Sequence, residues 1–176
     1  MHSLLEESQT IDITEWVKEG DVERALLAAA QERSRLAQEG GEDEEEPWIQ
    51  DPLEGFLEEL QATAKVQLAL FPTINCWEVP AFLQFGDFNE CPRASIHISV
   101  MKHWSQKYGL ELVSMSHCDW FAFVAHPPKN RAEALVLALE HIEYCPEFIV
   151  DTQCQGNVEA LASWLLHASY WPFWWD

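Results

Sequence analysis

The stretch YWPFWWD, residues 170–176, constrains this chain more than any other. Five of its seven residues are aromatic. Left in water, such a run is an aggregation hazard, so it must be buried as structure or kept for a partner. Burying each ring is worth roughly 1.5–3 kcal/mol. The burial reading makes Trp171, Phe173, Trp174 and Trp175 core residues on a last strand. Pro172 lacks an N–H and belongs at that strand's start or on a sheet edge.

The pattern upstream supplies partners for such a strand. Residues 94–108, ASIHISVMKHWSQKY, have helical spacing and stop at Gly109. His97, Val100, Met101, Trp104 and Tyr108 share one face, and Trp104 and Tyr108 join the expected core. LELVSMS (110–116) and WFAFVAH (120–126) read as two strands around a His117-Cys118-Asp119 turn. VPAFLQF (79–85) reads as another strand, and VQLALF (66–71) as a helix end or the start of a strand. Helices are expected over 130–145, with Asn130 as cap, and over 157–169. The fold class is α+β: a mixed or antiparallel sheet with helices on one face.

The first third is different. Residues 12–38 read as helix, broken at Gly20, with Asp21 capping its second half. Asp51-Pro52 opens a further helix with a Leu53, Phe56, Leu57, Leu60, Ala64 stripe. The division is an acidic helical segment over 1–65 and an α+β domain over 66–176. Net charge is −20, and residues 1–60 hold 18 acids against 4 bases. This field repels nucleic acid and anionic membrane and attracts a basic protein. Asp43, Glu44, Glu45 and Glu46, in a turn-rich charge run, are the candidate partner-binding residues; solubility alone is the competing explanation.

Chemistry-bearing residues are few. Cys91 and His97, with Asn89 nearby, could form a thiol–imidazole pair, since an imidazole can stabilise a thiolate. No glycine-rich nucleophile turn surrounds Cys91, and Pro92 follows it, so a small buried thiol is the plainer expectation. His117, Cys118, Cys145 and Cys154 add possible zinc ligands, but the spacings do not suit a structural site, and no metal or cofactor is expected. Asp87, Glu90, Asp119, Glu147, Asp151 and Asp176 fall in expected loops or the tail, where carboxylates are mostly solvated. The start, MHSLLEESQTID, lacks a secretory pattern, and five unevenly spaced cysteines suit reduced thiols. Both set the expectation of a cytoplasmic protein.

The ordered set VPAFLQFGDFNECP, His97, Trp104 with KYGLELV, HPPKNRAEAL, EYCPEFIVD, Gly156 with EALA, and the terminal FWWD resembles a bacterial domain-of-unknown-function family, number 4253. The resemblance covers about residues 77–176. The chain departs from the family pattern near Thr152–Gln155 and at Glu147. The resemblance implies a fold and boundaries but no reaction. A place beside secreted toxins would make immunity a natural role for such a domain. The leading expectation is thus a non-enzymatic acidic binding protein, most specifically an immunity protein masking a basic toxin. The alternatives are an enzyme or thiol-based module using Cys91 and His97, and an adaptor or scaffold protein.

Overall fold

The computed structural model describes residues 2–18, 65–146 and 157–176, together with Asp21, Arg24, Leu27, Glu54, Leu57 and Glu58. The expected sites Asp43–Glu46, Glu147, Asp151 and Cys154 lie outside the described residues, as does most of the expected 12–38 helix. The chain forms two compact units, each discontinuous in sequence. One comprises Met1–Asp12, Gln50–His126 and Ser169–Asp176; the other comprises Ile13–Ile49 and Pro127–Ala168.

The first unit is built on a three-stranded sheet. Strands β1 (Leu110–Met115), β2 (Asp119–Val124) and β3 (Tyr170–Trp174) lie in the order β1-β2-β3, and both pairings are antiparallel. The 170–174 stretch therefore does become a strand, although sequence neighbours of β2 lie far from it along the chain. A register shift between Leu112 and Ser114 leaves Val113 out of the pairing and half-exposed. That irregularity marks the β1 edge, and Pro172 removes one donor from β3; both discourage unwanted strand pairing.

Alternation along the strands separates two faces. Trp120, Ala122 and Val124 of β2 share a face with Trp171 and Phe173 of β3, and all five are buried. Helix α3 (Ala94–Tyr108) packs rings onto this face. Trp104 lies 5.6 Å from Trp171 edge-on and 5.4 Å from Phe173 in a stacked arrangement. Trp120 stacks on Phe173 at 4.3 Å, and Tyr108 meets Trp171 at 5.7 Å. Trp175, beyond the strand, is also fully buried. Trp174 corrects the expectation that every ring of the tail is core. It is 42% exposed, because it pairs with Asp119 on the opposite face from Phe173.

Gly109 ends α3 in the left-handed conformation, φ 67°, and its N–H bonds the Ser105 carbonyl at 3.0 Å. The chain then turns directly into β1.

The expected strand over 79–85 is instead helical. A 3-10 turn, Cys76–Glu78, runs into α2, Val79–Leu83. Pro80 sits in the first turn, where its missing N–H costs nothing. Glu78 holds the approach to the helix by accepting from Thr73 Oγ1 at 2.7 Å and Asn75 Nδ2 at 2.8 Å. A short apolar run suits either element, and here the proline and this anchored turn decide it.

Helix α1, His2–Ser8, precedes the expected helical segment. Ser99 Oγ donates to the Ser8 carbonyl at 2.7 Å, and Arg93 pairs with Glu7 at 2.8 Å, tying α1 to α3. Among the described residues, no helix is long and apolar enough to cross a membrane.

In the second unit, α4 (Arg131–Tyr144) packs with α5 (Val158–Leu165). Asn130 caps α4 as expected, accepting from the Glu133 N–H at 3.0 Å, and Asn157 caps α5 from Glu159 at 2.9 Å. Arg131 and Glu159 form an ion pair linking the two helices. Ile13–Glu15 form a 3-10 turn. Asp21, the expected cap, is itself helical, and its carboxylate accepts from the Lys18 N–H at 2.9 Å.

Candidate functional site

The ten residues between α2 and α3 build the most irregular backbone of the first unit. Gln84, Asp87 and Asn89 have φ of 51°, 64° and 44°, and Gly86 has φ 96°. Gly, Asn and Asp are the residue types that tolerate this region best, so GDFN is locally suited to a tight reversal. The Asp87 N–H bonds the Pro92 carbonyl at 3.1 Å, and the Cys91 N–H bonds the Phe88 carbonyl at 2.8 Å. The loop thus closes on itself and aims Cys91 inward.

Three segments meet at this loop. Asn89 Nδ2 donates to the Asp176 main-chain oxygen at 2.6 Å. Trp175 N–H donates to the Cys118 carbonyl at 2.9 Å, joining residue 175 to the β1–β2 turn. Phe88 stacks on His117 of that turn at 5.2 Å, with planes 13° apart. Ser116 Oγ bonds the Asp119 carboxylate across the turn. The loop carboxylates Asp87 and Glu90, with Asp176, remain exposed.

Cys91 and His97 do come together. Cys91 Sγ lies 3.5 Å from His97 Nε2. Cys91 is 4% exposed and His97 is 0% exposed. His97 lies edge-on between Phe85 at 4.8 Å and Trp175 at 5.2 Å. Gly86 passes so close that a Cβ there would fall 2.7 Å from His97 Nε2. Burial pushes the imidazole down to about 3, and a hydrogen bond with the Pro92 backbone offsets only part of this. At neutral pH the ring is uncharged. It supplies no imidazolium to hold a thiolate. The pair is a buried contact that joins the loop to the start of α3.

The other chemistry-bearing residues are dispersed. His117 and Cys118 occupy the β1–β2 turn, while Cys145 is buried at the end of α4 in the second unit. Among the described residues, no group of three or more His, Cys, Asp or Glu could hold a metal ion. Gly86, Phe88 and Trp175 were not anticipated as part of this region. The GDFN composition signalled the left-handed turn, but nothing in the sequence linked Trp175 to His97.

Two expected results follow from this geometry. Cys91→Ser should fold and cost about 1–3 kcal/mol, as a hydroxyl is harder to bury than a thiol. In native protein, iodoacetamide should modify the half-buried Cys118 well before Cys91, as read by peptide mass mapping. Preferential modification of Cys91 would reverse the structural assignment.

The second concerns acid. A histidine whose folded pKa is about 3 against about 6.5 unfolded stabilises the fold fully above the unfolded value. That stability is lost as pH falls from 6.5 toward 3, because the unfolded chain takes up the proton first. His141, pushed down to about 4 by burial, acts with the same sign in the second unit. Between pH 7 and pH 5 the His97 share is about 2 kcal/mol. Urea denaturation followed by tryptophan fluorescence should show this loss in the wild type and a smaller one in His97→Gln. Equal pH slopes for both proteins would refute it.

Residues 67–176 match the family model described as Domain of unknown function (DUF4253), and the chain belongs to that family. The match begins ahead of the resemblance that sequence motifs supported and takes in the residues leading to α2. No curated protein and no solved structure matches the chain.

Proposed function

We propose that this member of the family acts by binding a protein rather than by catalysis. The partner is basic, and the most specific form of the proposal is a cytoplasmic immunity protein that neutralises a basic bacterial toxin. The observation that carries the reading is the burial of the Cys91–His97 contact within a chain of net charge −20. The residues best suited to nucleophilic chemistry are packed away from solvent. The excess of acids in the first 60 residues is a feature a binding partner can use from a distance.

Charge of this kind acts mainly on the rate of encounter. With a basic partner, association should slow strongly as salt rises, since the Debye length falls from about 10 Å at 0.1 M to about 3 Å at 1 M. Dissociation should change less. Replacing Asp43 by Asn and Glu44, Glu45 and Glu46 by Gln should reproduce part of the loss without lowering the melting temperature. Surface plasmon resonance against the product of an adjacent toxin gene would read both rates. An association rate unchanged by the quadruple replacement would assign the acidic run to solubility alone.

A further inference from the structure

Residues 66–77, VQLALFPTINCW, carry no charge in this strongly acidic chain. The apolar side chains at the front of this stretch are not folded away. Val66 is 67% exposed, Leu68 93%, Leu70 92% and Ile74 102%. Single exposed apolar residues are common, but four within nine positions form a contiguous feature of the kind that marks interaction surfaces. The stretch is also anchored. Phe71 rests against Phe82 of α2 at 5.5 Å, Thr73 Oγ1 donates to Glu78, and the Asn75 N–H donates back to Thr73 Oγ1 at 3.0 Å.

Its surroundings in the chain are acidic. Glu54 and Glu58 are exposed, and Leu57 between them is 45% exposed. At no more than about 3.6 Å per residue, Glu58 lies within about 30 Å of Val66. Lys65 is the one base between Glu59 and Glu78.

We propose that residues 66–74 form a docking strip for a basic, amphipathic segment of the partner protein. Apolar side chains of that segment would seat on Leu68, Leu70 and Ile74, while its Lys and Arg residues are drawn to the exposed Glu54 and Glu58. The proposal rests on the acidic-binder reading and adds the place and chemistry of contact. A second copy of the chain is the other conceivable occupant, but two copies of charge −20 repel each other.

The test uses the full chain and three synthetic peptides of equal length, one of alternating Leu and Lys, one of Ser and Lys, and one of Leu and Glu. Fluorescence anisotropy should show tightest binding for the Leu/Lys peptide. The Leu68→Ser/Leu70→Ser variant should bind that peptide at least about tenfold more weakly. Its melting temperature should not fall, because both leucines are already in water. Equal binding by variant and wild type would overturn the strip, as would equal binding of the Ser/Lys and Leu/Lys peptides. Both outcomes leave the acidic-binder reading standing, whereas no binding of either Lys peptide removes both. A wild-type dimer in sedimentation velocity that the double variant dissociates would assign the strip to a second copy and overturn the proposal.

Discussion

A chain lacking residues 171–176 is expected to be recovered unfolded or insoluble. The deletion removes nearly all of β3 and with it Trp171, Phe173 and Trp175, each no more than 1% exposed. At roughly 1.5–3 kcal/mol per buried ring, the three together approach the 5–15 kcal/mol that stabilises a typical domain. The loss does not stop at the deleted residues. Trp120 and Trp104 lose the Phe173 ring, stacked on them at 4.3 and 5.4 Å, and the inner edge of β2 loses its hydrogen-bond partner. Single replacements grade the same effect. Trp171→Ala should cost about 3–5 kcal/mol, and Trp174→Ala, on the outward side of the same strand, about 1 kcal/mol or less. Far-UV circular dichroism and thermal melting decide the matter. A soluble truncated chain with an unchanged melting curve would turn the tail from core into a ligand for a partner.

Gly86→Ala is expected to be nearly as damaging, although it adds one methyl group. The added Cβ would lie 1.9 Å from the Pro92 carbonyl oxygen and 2.7 Å from His97 Nε2. Neither contact can relax by rotating a flexible side chain. Pro92 is backbone and already accepts the Asp87 N–H, and His97 is wedged between Phe85 and Trp175. The φ of +96° at Gly86 adds strain for any L side chain. Strain and overpacking together suggest a loss of about 3–5 kcal/mol. Gly109→Ala is the comparison. There the nearest contact is 3.1 Å from the Ala125 Cβ, and the φ of +67° is milder, so a smaller loss is expected. Urea denaturation of the two variants beside wild type reads the difference. A Gly86→Ala protein as stable as wild type would mean that the loop is not locked onto His97.

Some of these features are legible in the sequence alone. Short strand-forming runs on either side of the 117–119 turn located β1 and β2 to within two residues, and Gly109 marked the end of α3, because these signals are local in the sequence. VPAFLQF was misread because a run so short lacks the span over which periods of two and 3.6 diverge. The outward turn of Trp174 follows from the same alternation that buries Trp171 and Phe173. It was hidden because five aromatic residues together look uniformly apolar. At the candidate site, six residues of separation drew attention to Cys91 and His97 as a pair. Their chemistry was not legible. Whether an imidazole carries charge depends on what surrounds it, and the surroundings come from Phe85, Gly86 and Trp175.

By itself, then, the sequence determined that an α+β domain with an aromatic core would form. It also placed the charge on the chain, with its excess in the first 60 residues. Composition and local periodicity suffice for those properties. Only the tertiary structure decided that β3 lies beside β2, that the Cys91 thiol is buried beside an uncharged His97, and that Leu68 and Leu70 stay in water. Each of these depends on contacts between residues distant in sequence, or on their lack among the described residues. Access of water, denied to His97 and open to the leucines, is a property of the neighbourhood rather than of any residue in it.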